Sequence, residues 1–142
     1  MRIYTGYFAK CNKYREAGLL LISTATKIPI WEHGKGILEF KQLGPTPDML
    51  KLFKHEYEPR YYSILNKLDA SVLVKYLERI SKGKDVVLLC YESAASCEKG
   101  TTYCHRHMLS KWIKEKTGVD VTEYEFTVNG NKQEITNQPE LF

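Results

Sequence analysis

The stretch that most constrains this chain runs from Lys84 to Lys116. Val86 to Leu89 is an unbroken apolar run, the pattern of a strand buried on both faces. A small polar loop leads to Thr102. From Tyr103 the period changes, and Cys104, Met108, Leu109, Trp112 and Ile113 fall on one side of a helix. A strand covered above and below calls for helices on both faces, so the expected class is α/β with a mostly parallel central sheet. Open sheets of this kind hold ligands beyond the carboxyl ends of their strands. Here that position carries Cys90, Tyr91 and Glu92, facing a helix start with Cys104, His105 and Arg106.

The rest of the chain fits around this unit. Ile3 to Ala9 reads as a first strand, Lys10 to Ala17 as a short helix ending at Gly18, and Leu19 to Ala25 as a second buried strand. The simplest unit they form is a right-handed parallel βαβ. Between Pro29 and Pro47, glycines and prolines break up the pattern, and a long irregular excursion is expected to fold over the site. Thr46 and Pro47 look like an N-cap and first helical residue, opening a short helix to about Glu56. Pro59 opens another through Leu65, and Asp69 caps a third whose Val72, Leu73, Tyr76, Leu77 and Ile80 recur at helical spacing. After Thr117 and Gly118, Val119 to Val128 alternates as a strand near the sheet edge, and Asn129 to Asn131 is a turn. The expected organisation is one α/β domain over residues 1–128, followed by a turn and tail over 129–142.

The 142 residues suit one domain burying roughly two thirds of its unfolded surface. An apolar content of 43% with 27% charged residues is that of a globular protein. No apolar run approaches the roughly 20 residues of a membrane span, and the amino terminus lacks a secretory pattern, so a cytoplasmic location is expected. The net charge of +4 is mild and dispersed, which permits a polyanionic partner without requiring one. Four cysteines in such a chain point to thiols rather than a disulfide framework.

Cys90 ends a buried strand and Cys104 lies in the first turn of a helix, where the dipole lowers a thiol pKa, so either is a candidate nucleophile, with His105 and Glu92 as proton carriers. The plainer account is that both thiols are packing residues. Cys90, Cys97 and Cys104 with His105 or His107 would make a zinc set, but the C-x6-C-x6-C spacing is not that of a structural knuckle, and neither a metal nor a cofactor is expected. His105 and Arg106 at a helix start gather backbone N–H groups, an imidazole and a guanidinium, which suits a phosphate or carboxylate. Tyr91 and Thr24, at the carboxyl ends of their strands, join this anion-binding set. The plainer reading has Arg106 paired with Glu92 or Glu98. Among the aromatic residues, Tyr91 and Trp31 are the first candidates to stack a base.

The chain resembles the uncharacterised family called domain of unknown function 488. The resemblance rests on Val87-Leu-Leu-Cys-Tyr-Glu92 followed by Cys104-His-Arg106 and Leu109, on Leu43-Gly-Pro-Thr-Pro-Asp-Met-Leu50 with Phe53 and Tyr62, and on Ile3-Tyr4-Thr5. It implies a small Rossmann-like, three-layer domain, with Cys90, Glu92, Cys104, His105 and Arg106 as site candidates. Two features depart from the family pattern. The loop from Ser93 to Thr102 is enlarged, and Ser23-Thr24-Ala25 stands where many relatives carry an Asp-Val-Arg type segment.

The tail, Gln138-Pro139-Glu140-Leu141-Phe142, looks like a terminal peptide that docks on the DNA sliding clamp, with Gln138 as the hydrogen-bonding group and Leu141 and Phe142 as the apolar pair. Three functions are therefore expected in order: binding, and by extension processing, of a nucleotide or nucleic-acid phosphate; a Cys/His-dependent enzyme acting on a small substrate; and a non-catalytic ligand-sequestering or clamp-associated module. The oligomeric state is not legible.

Overall fold

The computed structural model describes residues 1–91 and 105–125. Five parallel strands form one sheet in the order β3-β2-β4-β1-β5. They are β1 (Ile3–Tyr7), β2 (Leu20–Ser23), β3 (Leu38–Glu39), β4 (Val86–Cys90) and β5 (Val121–Glu123). Between them run α1 (Cys11–Glu16), α2 (Lys54–Leu65), α3 (Ala70–Ser81) and α4 (His105–Thr117). The expected Rossmann-like α/β class holds, and every strand pair in the sheet is parallel.

Both faces of the central strand are covered, as its unbroken apolar run requires. Val86 and Leu88 point into a core built with Tyr61, Leu77, Leu109 and Trp112. Val87 and Leu89 point into a second core with Phe8, Tyr14 and Leu21. The alternation continues in β2, where Ile22 joins the first core and Leu21 the second. Thus α1 covers one face, while α2, α3 and α4 cover the other.

β1 and β2 are not neighbours. β4 lies between them, pairing Ile3 with Val86 on one side and Ile22 with Leu88 on the other. The expected βαβ unit is therefore a crossover that skips one position, and the strand buried most completely fills the gap. The excursion after β2 also contributes an edge strand, β3, too short to read from alternation. It is anchored to α1 by an ion pair between Arg15 and the buried Glu32. Pro47–Lys51 is a single 3-10 stretch rather than a helix to Glu56, and α2 begins at Lys54. Pro59 sits inside α2 instead of opening it. As the sixth of twelve helical residues, Pro59 removes one hydrogen bond and crowds the preceding turn, and burial of Tyr57, Tyr61 and Leu65 on one stripe outweighs that loss. Asp69 caps α3 as its sequence predicts, accepting from the Ser71 and Val72 amides at 2.9 and 3.2 Å. Among the described residues no helix is long and apolar enough to cross a membrane.

Candidate functional site

The topology singles out one place on the sheet. The connection from β1 leaves through α1 on one face, and that from adjacent β4 leaves through α4 on the other, in opposite directions. The carboxyl ends of β1 and β4, with Tyr7 in register with Cys90, therefore flank the topological switch point, where open α/β sheets hold their ligands. The start of α4 is tied to that edge by two consecutive side chains.

His105 is buried, and its Nε2 lies 2.9 Å from the Thr24 hydroxyl, which also lies 3.0 Å from the Leu89 carbonyl. A hydroxyl has one proton, and a carbonyl only accepts, so Thr24 donates to Leu89 and the imidazole donates from Nε2–H to Thr24. This assignment leaves Nδ1 with the lone pair. Burial pushes the imidazole down to about 4, the Arg106 charge adds to that, and hydrogen bonding to Thr24 works the other way. His105 is therefore neutral at neutral pH. The Tyr61 ring stands edge-on to it, 5.4 Å between centroids, and the Tyr61 hydroxyl is fixed by the Leu43 carbonyl at 2.6 Å.

Arg106 is 1% exposed. Its Nη1 donates to the Gly6 carbonyl at 3.0 Å and to Glu123 at 3.3 Å, and the guanidinium lies over the Tyr7 ring. Glu123 also accepts from the Thr5 hydroxyl at 2.8 Å. The guanidinium thus binds β1, β5 and α4 together. Glu123, at the end of a three-residue strand, is a partner that no local pattern points to.

Two glycines permit close approaches at this edge. A Cβ on Gly6 would stand 2.4 Å from the Tyr14 hydroxyl, which accepts the Tyr7 amide. A Cβ on Gly44 would stand 2.5 Å from the Thr24 carbonyl, so the excursion lies directly on the end of β2. The Thr26 hydroxyl adds a bond to the Pro45 carbonyl at 2.9 Å. Tyr91 is half-exposed, packed edge-on to Phe8, whereas Trp31 is exposed on the excursion.

Of the residues singled out by sequence, Thr24, His105 and Arg106 are tied to this edge, Cys90 is fully buried at the end of β4, and Tyr91 packs on Phe8. Glu92, Cys97, Cys104, Gln138, Leu141 and Phe142 lie outside the described residues. Among the described residues no three His, Cys, Asp or Glu side chains gather as a metal set, but the zinc set considered from sequence includes Cys97 and Cys104.

Fold and site together define a Rossmann-like α/β protein with a polar, aromatic-walled switch point. The chain belongs to the DUF488-N3a family, described as the active DUF488-N3 subclade, whose model matches residues 34–117. That span carries Gly44, Tyr61, Cys90, His105 and Arg106, while Gly6, Thr24 and Glu123 lie outside it. No curated protein and no solved structure matches the chain.

Proposed function

We propose that the protein binds a nucleotide or nucleic-acid phosphate at the carboxyl ends of β1 and β4, and that its chemistry, if the bound group is processed, is carried by Glu92 and Cys104 as sequence candidates. The observation that supports this reading is the start of α4 at the switch point, where its first backbone N–H groups and positive dipole end suit an anion. Arg106 acts by holding that helix start in place, since its guanidinium is buried against Gly6 and Glu123. His105 acts by tying the helix start to Thr24, since its Nε2–H donates to that hydroxyl and Nδ1 keeps a lone pair. Half-exposed Tyr91 is available to stack a base.

The neutral imidazole favours this reading over the Cys/His enzyme. A thiolate–imidazolium pair needs a histidine that holds its proton near neutral pH, and burial pushes the His105 imidazole the other way. Melting the protein with inorganic phosphate, nucleosides, nucleoside mono- and triphosphates and short oligonucleotides tests the proposal. A phosphate-bearing ligand at a hundredfold excess over its Kd stabilises by about 2.7 kcal/mol, a shift on the order of 10 °C. Equal shifts with nucleosides lacking phosphate, or none across the panel, contradict it.

The tail supports a separate proposal, docking of Gln138, Leu141 and Phe142 on a sliding clamp. A peptide ending in Leu141-Phe142 that fails to bind clamp at concentrations on the order of 50 μM removes it.

A further inference from the structure

A cavity of about 450 Å³ opens between α3, the turn after β3 and the middle of α4. Its size lies within the roughly 300–1,000 Å³ of small-molecule sites. Phe40 and Tyr76 form an aromatic wall, with ring centroids 5.8 Å apart. Trp112, 2% exposed, also lines the cavity, and its indole Nε1–H has no hydrogen-bond acceptor among the described residues. A buried donor left without an acceptor is unfavourable, so an acceptor delivered to it is rewarded. The nitrogen is closed off from solvent, so an acceptor reaches it by displacing part of the lining, whose most exposed apolar side chains are Val72 and Tyr76, 60% and 41% exposed. Two carboxylates, Glu39 and Asp69, also line the cavity, which disfavours an anionic occupant.

We propose that this cavity is a second ligand site, taking an uncharged planar heteroaromatic molecule whose carbonyl oxygen or ring nitrogen accepts the Trp112 Nε1–H. It is separate from the switch-point site in both residues and ligand charge: a phosphate is favoured by the start of α4 and opposed here by Glu39 and Asp69. The aromatic wall supplies stacking area, and Trp112 selects for an acceptor.

The chain has two tryptophans, and Trp31 is exposed, so ¹H–¹⁵N spectra of the full chain carry an internal control in the Trp31 indole signal. Titration with quinolin-2-one should move the Trp112 indole signal saturably and leave Trp31 in place. Naphthalene, which lacks the acceptor, and 2-naphthoate, which adds a negative charge, should each bind about fivefold to tenfold more weakly, the worth of one hydrogen bond or one unfavourable charge. Val72→Trp, made at an exposed position of the mouth, should abolish the shift with unchanged melting. Trp112→Phe, which keeps a ring and removes the donor, should bring quinolin-2-one and naphthalene to equal affinity. The proposal is overturned if quinolin-2-one causes no saturable shift, if Trp31 moves in step with Trp112, if naphthalene or 2-naphthoate binds as tightly, or if Val72→Trp leaves the shift intact.

Discussion

At His105 two demands meet. The side chain must fill space between Tyr61 and the end of β2, and it must satisfy the Thr24 hydroxyl without carrying charge into a buried place. The neutral imidazole meets both, which fixes the sign of its contribution to stability. Its folded pKa, about 4, lies below the ordinary 6.5, so the unfolded chain takes up the proton first as pH falls. Between those values the unfolded state binds more protons, and stability declines as pH drops, by roughly 3 kcal/mol in all from this group. Carboxylates as a class also titrate in acid, so the readout is a difference: His105→Gln should show a flatter loss of stability than the wild type between pH 6.5 and pH 4. Parallel pH profiles would contradict a neutral buried His105. Arg106 presents the opposite case, a charge that is buried because it is paired. Arg106→Met should destabilise by about 3 kcal/mol, because it takes the donor from the Gly6 carbonyl and the opposite charge from the Glu123 carboxylate, which keeps only the Thr5 hydroxyl bond of those described above. In a double-mutant cycle with Glu123→Gln, the combined loss should be clearly less than the sum of the two single losses. Additive losses would mean that the ion pair contributes little.

Among the elements, the excursion between β2 and α2 matters most to the site. Gly44 lies so close to the Thr24 carbonyl that a methyl group has no room, and the neighbour is backbone, which cannot swing away. Gly44→Ala should therefore destabilise by about 1–3 kcal/mol and change the His105 ring-nitrogen shifts, through Thr24. An unchanged imidazole spectrum would show that the excursion does not brace the dyad. β4, α3 with its Asp69 cap, and α4 were legible because each carries its own periodicity and punctuation. Three features were not. β3 pairs only two residues, too few to alternate. The order of strands is invisible to local patterns, because β4 inserts between β1 and β2 through contacts more than sixty residues apart in sequence. Glu123 gave no signal because a carboxylate in an alternating edge strand looks like any solvated residue. Arg106 was legible as a site residue by its position after the strand, but its partner depended on where β5 fell.

For the molecule as a whole, the sheet brings two unlike places together on one scaffold. The switch point between β1 and β4 gathers Thr24, His105 and Arg106 at the start of α4. The cavity under α3 is apolar, aromatic and rimmed by carboxylates. Family membership extends over residues 34–117 and so covers α4 and its first turn. The clamp of Arg106 on β1 and β5 draws on strands beyond that span. The central claim is that a nucleotide or nucleic-acid phosphate binds where α4 begins. The most direct test is to follow backbone amide signals of the full chain during titration with nucleoside monophosphates and a 5′-phosphorylated oligonucleotide. Saturable shifts at His105, Arg106 and His107, joined by Tyr7 and Tyr91 and with the Trp112 indole unmoved, are the predicted result. No saturable shift at those amides, or shifts confined to other parts of the molecule, would contradict the account.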